Sequence, residues 1–171
     1  MKLLNYKNIG NPSTETGLTL IELILTFSLV LIVFGSLVTL YNFSEYKQLS
    51  TDNRRISDLQ TLERAILEYR SVNDTYPDIP YVVRTSNALP SGNMGPTVQA
   101  NEGWIDDDLS EFIVKLPIDP SNEYPFIYYY VHDGFTYELN AVLELSAEQM
   151  QNDGGSDDSK YEIGSNLNLI P

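Results

Sequence analysis

An α+β chain is what this sequence predicts: a long N-terminal helix, transmembrane in its first half and amphipathic in its second, packed on a small antiparallel sheet. Three observations carry that expectation. Residues 18–41 are apolar on every side with a single charge, Glu22. An apolar face then recurs at helical spacing as far as Tyr69, with no proline between Pro12 and Pro77. From Phe126 two strand-like runs, the second alternating with period two over 135–144, flank an Asp-Gly pair, the mark of a hairpin.

The first element reads LTLIELILTFSLVLIVFGSLVTLY, 24 residues. As a helix it spans about 36 Å at about 1.5 Å per residue, more than the roughly 30 Å of a hydrocarbon core. The segment that follows, YNFSEYKQ, supplies no small-x-small cleavage site, so the sequence reads as a retained anchor rather than a secretory signal. Lys2 and Lys7 precede the run and favour a cytoplasmic N-terminus with everything after the span outside.

The second half of the helix, 42–74, places Leu49, Ile56, Leu59, Leu62, Ile66 and Tyr69 on one face. Together the two halves predict a helix of roughly 55 residues and about 80 Å, closed by Asn73-Asp74-Thr75-Tyr76-Pro77. The rest, 75–171, is expected to form a globular head. Its parts are a loop over 78–108, a short helix over 109–116, a hairpin over 124–144, and a C-terminal loop and strand over 150–171. Within the hairpin, Phe135, Tyr137, Leu139, Ala141 and Leu143 would face inward and Thr136, Glu138, Asn140, Val142 and Glu144 outward, Val142 being the one apolar exception on that face. The apolar stripe of the helix is available to cover the inward face.

Composition narrows the function classes. The 171 residues carry a formal net charge of −14 and no cysteine, which removes disulfides and cysteine-ligated metals. From Glu102 onward there are fifteen acidic residues against Lys115 and Lys160 alone, so no direct nucleic-acid binding is expected of the head. His132 is the one histidine, too few for most metal or triad schemes. Gly10 to Gly17 has a phosphate-loop-like spacing, but no Lys-Ser or Lys-Thr follows. Asp106-Asp107-Asp108 reads as a solvated cap region, and no nucleophile has a plausible base. The expectation is a non-enzyme without catalytic residues.

Glu22 is the anomaly. A carboxylate within a spanning helix costs on the order of 3 kcal/mol on insertion scales and by default marks a function, unless it sits near enough to the end to reach headgroups. Gly17 followed by Leu18-Thr-Leu-Ile-Glu22 and a long apolar helix resembles the prepilin signature of type IV pilins and type II secretion pseudopilins. The Tyr76-Pro77 close, the Leu116-Pro-Ile-Asp-Pro120 turn and the Asp-Gly hairpin also resemble that family, the last two its major pseudopilin.

That resemblance implies a pilin-like fold and a 1–17 leader removed by a prepilin peptidase between Gly17 and Leu18, with N-methylation of Leu18. It implies that Glu22, as fifth mature residue, guides assembly. The new ammonium at Leu18 of one subunit would neutralise Glu22 of the next, fixing axial register as a buried polar pair does; pairing within one chain is the alternative. The implied partners are further copies in a homo-oligomeric filament, the peptidase, an assembly platform protein, a cytoplasmic assembly ATPase and the membrane. Location would be the cytoplasmic (inner) membrane as a single-pass protein, then an extracellular or periplasmic filament.

The C-terminal loop Asn152-Asp-Gly-Gly-Ser-Asp-Asp158 gathers carboxylates on a flexible stretch, and Asp153, Asp157 and Asp158 are candidate calcium ligands. The resemblance adds weight, because the major pseudopilin carries calcium in a comparable loop; a solvated acidic loop is the alternative, and no cofactor is otherwise required. Tyr124, Tyr128, Tyr129 and Tyr130 read as strand-forming, half-buried residues more than as a binding surface. The function expected is a structural subunit of a type IV pilus-like or secretion pseudopilus filament. The alternative is a single-span anchored extracytoplasmic binding module whose loop at 84–103 catches a ligand without polymerising.

Overall fold

The computed structural model describes residues 17–92 and 95–170, the side chains of 39–42 excepted. The predicted leader, apart from Gly17, therefore lies outside the described residues. The chain divides into two units, 1–42 and 43–171, and helix α1 (Leu20–Asn73) has turns in both.

In the first unit the helix is exposed on all sides, with Leu20, Phe27 and Phe34 at 77%, 65% and 67% exposure. It is long and apolar enough to cross a membrane, its most apolar window having a mean hydropathy of 2.6. Three of its described hydroxyls are satisfied from within. Thr26, Ser28 and Ser36 donate to the carbonyls of Glu22, Ile24 and Val33 at 2.9, 2.9 and 2.7 Å, so none needs water in a dry environment.

In the second unit α1 supplies one wall of the core. Leu59, Leu62, Ala65 and Ile66 are buried, each large side chain contributing about 1.5–3 kcal/mol. The apolar stripe begins later than the sequence predicts, since Leu49 stays 44% exposed. The helix stops where expected: Asp74 adopts φ 59° and its amide bonds the Arg70 carbonyl at 2.9 Å.

The other wall is a four-stranded antiparallel sheet in the order β1 (Arg84–Thr85), β2 (Tyr129–His132), β3 (Tyr137–Ala141), β4 (Tyr161–Gly164). A short helix, α2 (Ala147–Gln151), lies between β3 and β4. Tyr130 stands opposite Leu139, and with Tyr137 and Ala141 these side chains meet Leu59, Leu62 and Ile66. Asp133 closes the hairpin by accepting from the amides of Phe135 and Thr136 at 2.8 and 2.6 Å, and Gly134 takes the φ of 92° that the turn requires.

Three elements differ from expectation. The helix over 109–116 is a single turn, in which the Leu109 carbonyl accepts from Phe112 and Ile113 at 2.9 and 3.0 Å. Pro117 biases Leu116 toward extended backbone, and the Leu116 amide bonds Val98 instead. The 78–108 loop contributes β1 and buries Trp104 and Ile105, with the indole donating to the Pro117 carbonyl at 3.0 Å. Finally, β3 is shorter than the predicted run, buried on both faces, and its outward Glu138 and Asn140 are fully covered, whereas Phe135 is 80% exposed.

Candidate functional site

Leu18 and Thr19 precede the first turn of α1 in non-helical backbone, and the Gly17–Leu18 bond lies exposed there, with Leu18 at 77% exposure. A Cβ on Gly17 would meet nothing within 4 Å, so the fold itself does not require glycine at that position. Thr19 and Glu22 form a reciprocal cap. The Glu22 carboxylate accepts from the Thr19 amide at 2.9 Å and its hydroxyl at 2.8 Å, while the Thr19 hydroxyl accepts from the Glu22 amide at 3.3 Å. This is the Thr-x-x-Glu capping box, which satisfies two orphan donors of the first turn. The sequence carries that signature, and it answers locally for the carboxylate that the pilin resemblance would assign to assembly.

The loop before β4 does not bring Asp153, Asp157 and Asp158 together. Asp153 accepts from the amides of Gly155 and Glu162, both at 2.7 Å. Asp157 accepts from the Ser159 hydroxyl at 2.5 Å and its amide at 3.0 Å, and pairs with Lys160 at 3.0 Å. Ser159 first and Lys160 next hold the Asp157 carboxyl down to about 2. Asp158 is exposed. Among the described residues no group of three histidine, cysteine or acidic side chains is placed to hold a metal.

The four tyrosines separate. Tyr128 and Tyr130 are buried, Tyr129 is half-buried and Tyr124 is 83% exposed, so no shared aromatic surface forms. Tyr128 donates to Asp58 at 2.9 Å and Tyr130 to the Pro77 carbonyl at 3.0 Å. The 84–103 loop borders an open groove of about 420 Å³ lined by Leu89, Asn101, Glu102 and Asp106 among others. A larger groove of about 720 Å³ runs beside Glu148, Asp153 and Glu162.

Two buried polar clusters were not anticipated from the sequence. In one, Arg55, 1% exposed, donates to Asp119 at 2.6 Å, Asp52 at 3.0 Å and Glu144 at 2.9 Å, with its guanidinium 4.5 Å from the centre of the Phe126 ring. Asp52 also accepts from the amides of Glu144, Leu145 and Ser146 at 2.8, 2.8 and 3.1 Å. Burial works to raise the Asp52 carboxyl, and these donors outweigh it, holding it below its ordinary value. In the other, Glu138, Asn140 and Glu162 are covered on the sheet face turned away from α1. Searched against family models, curated proteins and solved structures, the chain finds no significant match in any of the three.

Proposed function

We propose that this chain is a pilin-like structural subunit, released from its leader between Gly17 and Leu18 and assembled through its apolar N-terminal helix into a pilus-like or secretion-type filament. The observation that carries the reading is the placement of Glu22 five residues after Gly17, at the start of a helix apolar on every side. Two facts support it. Gly17 has no steric duty in the fold, and the bond after it is exposed. An all-round apolar surface also suits a helix that exchanges lipid for copies of itself, because both surroundings are dry. On this reading the head stands outside the cytoplasm, and the partners are the peptidase and the assembly machinery of such filaments.

One observation favours the second reading, a monomeric anchored binding module: the cap from Thr19 accommodates Glu22 without a neighbour. Glu22→Gln separates the two, since glutamine serves a capping box but carries no charge. The filament reading expects Glu22→Gln to abolish fibres seen by electron microscopy of expressing cells, while membrane insertion persists. Intact mass should show loss of the first 17 residues and gain of one methyl group. A full-length chain, with no fibres from the unaltered protein, overturns the filament reading.

A further inference from the structure

Of the two cations after Glu102, Lys160 pairs with Asp157 at 3.0 Å, and Lys115 stands exposed with no ion pair among the described residues. Beside it Val114 is 91% exposed, the highest value of any large apolar side chain described. The backbone on either side holds both in place. The Ile113 amide bonds the Leu109 carbonyl at 3.0 Å, the Leu116 amide bonds the Val98 carbonyl at 2.9 Å, and Lys115 bridges to Gln99. Val114 and Lys115 thus form a small knob, an apolar side chain next to a long alkyl stem with a charged tip.

The groove of about 720 Å³ has the complementary character. Ile56 of α1 with Tyr161 and Ile163 of β4, all half-buried, give it apolar surface, and Glu148 and Asp153 give it negative charge. Neither carboxylate has a cation: Asp153 accepts from two backbone amides, and Glu148 makes no ion pair among the described residues. Knob and groove lie on different flanks of α1. Ile56 lines the groove, whereas Phe112, from the turn that leads into the knob, packs on Tyr69 with ring centres 5.7 Å apart. At 3.6 residues per turn, positions 56 and 69 are about 140° apart around the helix axis. One chain therefore presents the knob to one side and the groove to another.

We propose that the groove receives Val114 and Lys115 of a second copy of this chain, with Val114 against Ile56, Tyr161 and Ile163 and the Lys115 ammonium at Glu148 and Asp153. The proposal rests on the filament reading, which sets heads side by side. Because knob and groove differ, the contact is heterologous: each copy gives its knob to one neighbour and receives the knob of another. Such a contact runs on from subunit to subunit unless it closes into a ring. It supplies an angular register, which a helix apolar on every side does not.

The test is disulfide trapping of the full chain in membranes of expressing cells under a mild oxidant, free of background because the chain has no cysteine. Val114→Cys and Gln149→Cys, the second on the groove, are placed in one chain. The expected result is a ladder of dimers, trimers and longer species. Two single-cysteine chains expressed together should stop at dimers, and Val114→Cys with Phe135→Cys, 80% exposed on the hairpin, should give no ladder. Added to the ladder-forming chain, Lys115→Glu or Glu148→Lys should each remove the ladder, and both together should restore it. Fibres without a ladder, a ladder indifferent to the reversals, or dimers from Val114→Cys alone overturn the contact and leave the filament reading standing. A ladder without fibres supports the contact and overturns the filament reading. Absence of both overturns both.

Discussion

Arg55 shows how one buried side chain ties distant parts of the head. It binds Asp119, 64 positions away, and Glu144, 89 positions away, as well as Asp52 one turn before it. Arg55→Met leaves Asp52 and Asp119 desolvated without a cation, which is expected to cost about 3–5 kcal/mol. The neighbouring Arg54, 62% exposed, is the control, and Arg54→Met should shift stability by less than about 0.5 kcal/mol. Denaturant unfolding followed by the fluorescence of Trp104, the chain's only tryptophan and fully buried, measures both. Nothing in the local sequence marks Arg55 as buried and Arg54 as exposed, since both sit in the same turn. By contrast, the Thr19-x-x-Glu22 cap is complete within four residues and could be read directly.

At the scale of elements, the helix contributes a face and the sheet a matching one, and the contact decides which residues of the face matter. Leu62 is fully buried against the sheet, whereas Leu49 on the same predicted stripe keeps 44% of its surface. Leu62→Ala should therefore cost about 2–5 kcal/mol, and Leu49→Ala should stay within about 0.5 kcal/mol, in the same unfolding measurement. Equal losses would restore the longer stripe. The stripe begins late because the turn after Leu49 meets the head through Asp52, which accepts the amides of Glu144, Leu145 and Ser146. The short helix over 109–116 fails for a comparable reason: Leu109 and Leu116 both reach the core, and backbone partners at Ala100 and Val98 replace helical ones.

For the whole molecule, charge sets the response to pH. The Asp52, Asp78 and Asp157 carboxyls are all held below the ordinary 3.8, the last at about 2. For Asp78, burial opposes the shift, and Arg84 with the amides of Ile79 and Asp106 overcomes it. Groups with depressed folded values contribute stability above 3.8 that is lost as pH falls toward about 2. Denaturation midpoints of the full chain should accordingly fall through that window, and Asp78→Asn should flatten part of the fall. A midpoint unchanged down to about pH 2 would contradict the assignment.

By itself, the sequence determined the apolar helix, its stop at Asn73, the Asp-Gly hairpin and the strand before the C-terminus, because each depends on periodicity or turn chemistry within a few residues. It also placed Glu22 after Gly17, the feature on which the proposed function stands. Only the tertiary structure decided which polar side chains went inside. Alternation marked Glu138 and Asn140 as outward, and they are, but residues near 157 and 169–170 fold over that outer face and remove it from water. Burial of a charge is settled by what arrives from elsewhere in the chain, and periodicity carries no record of that.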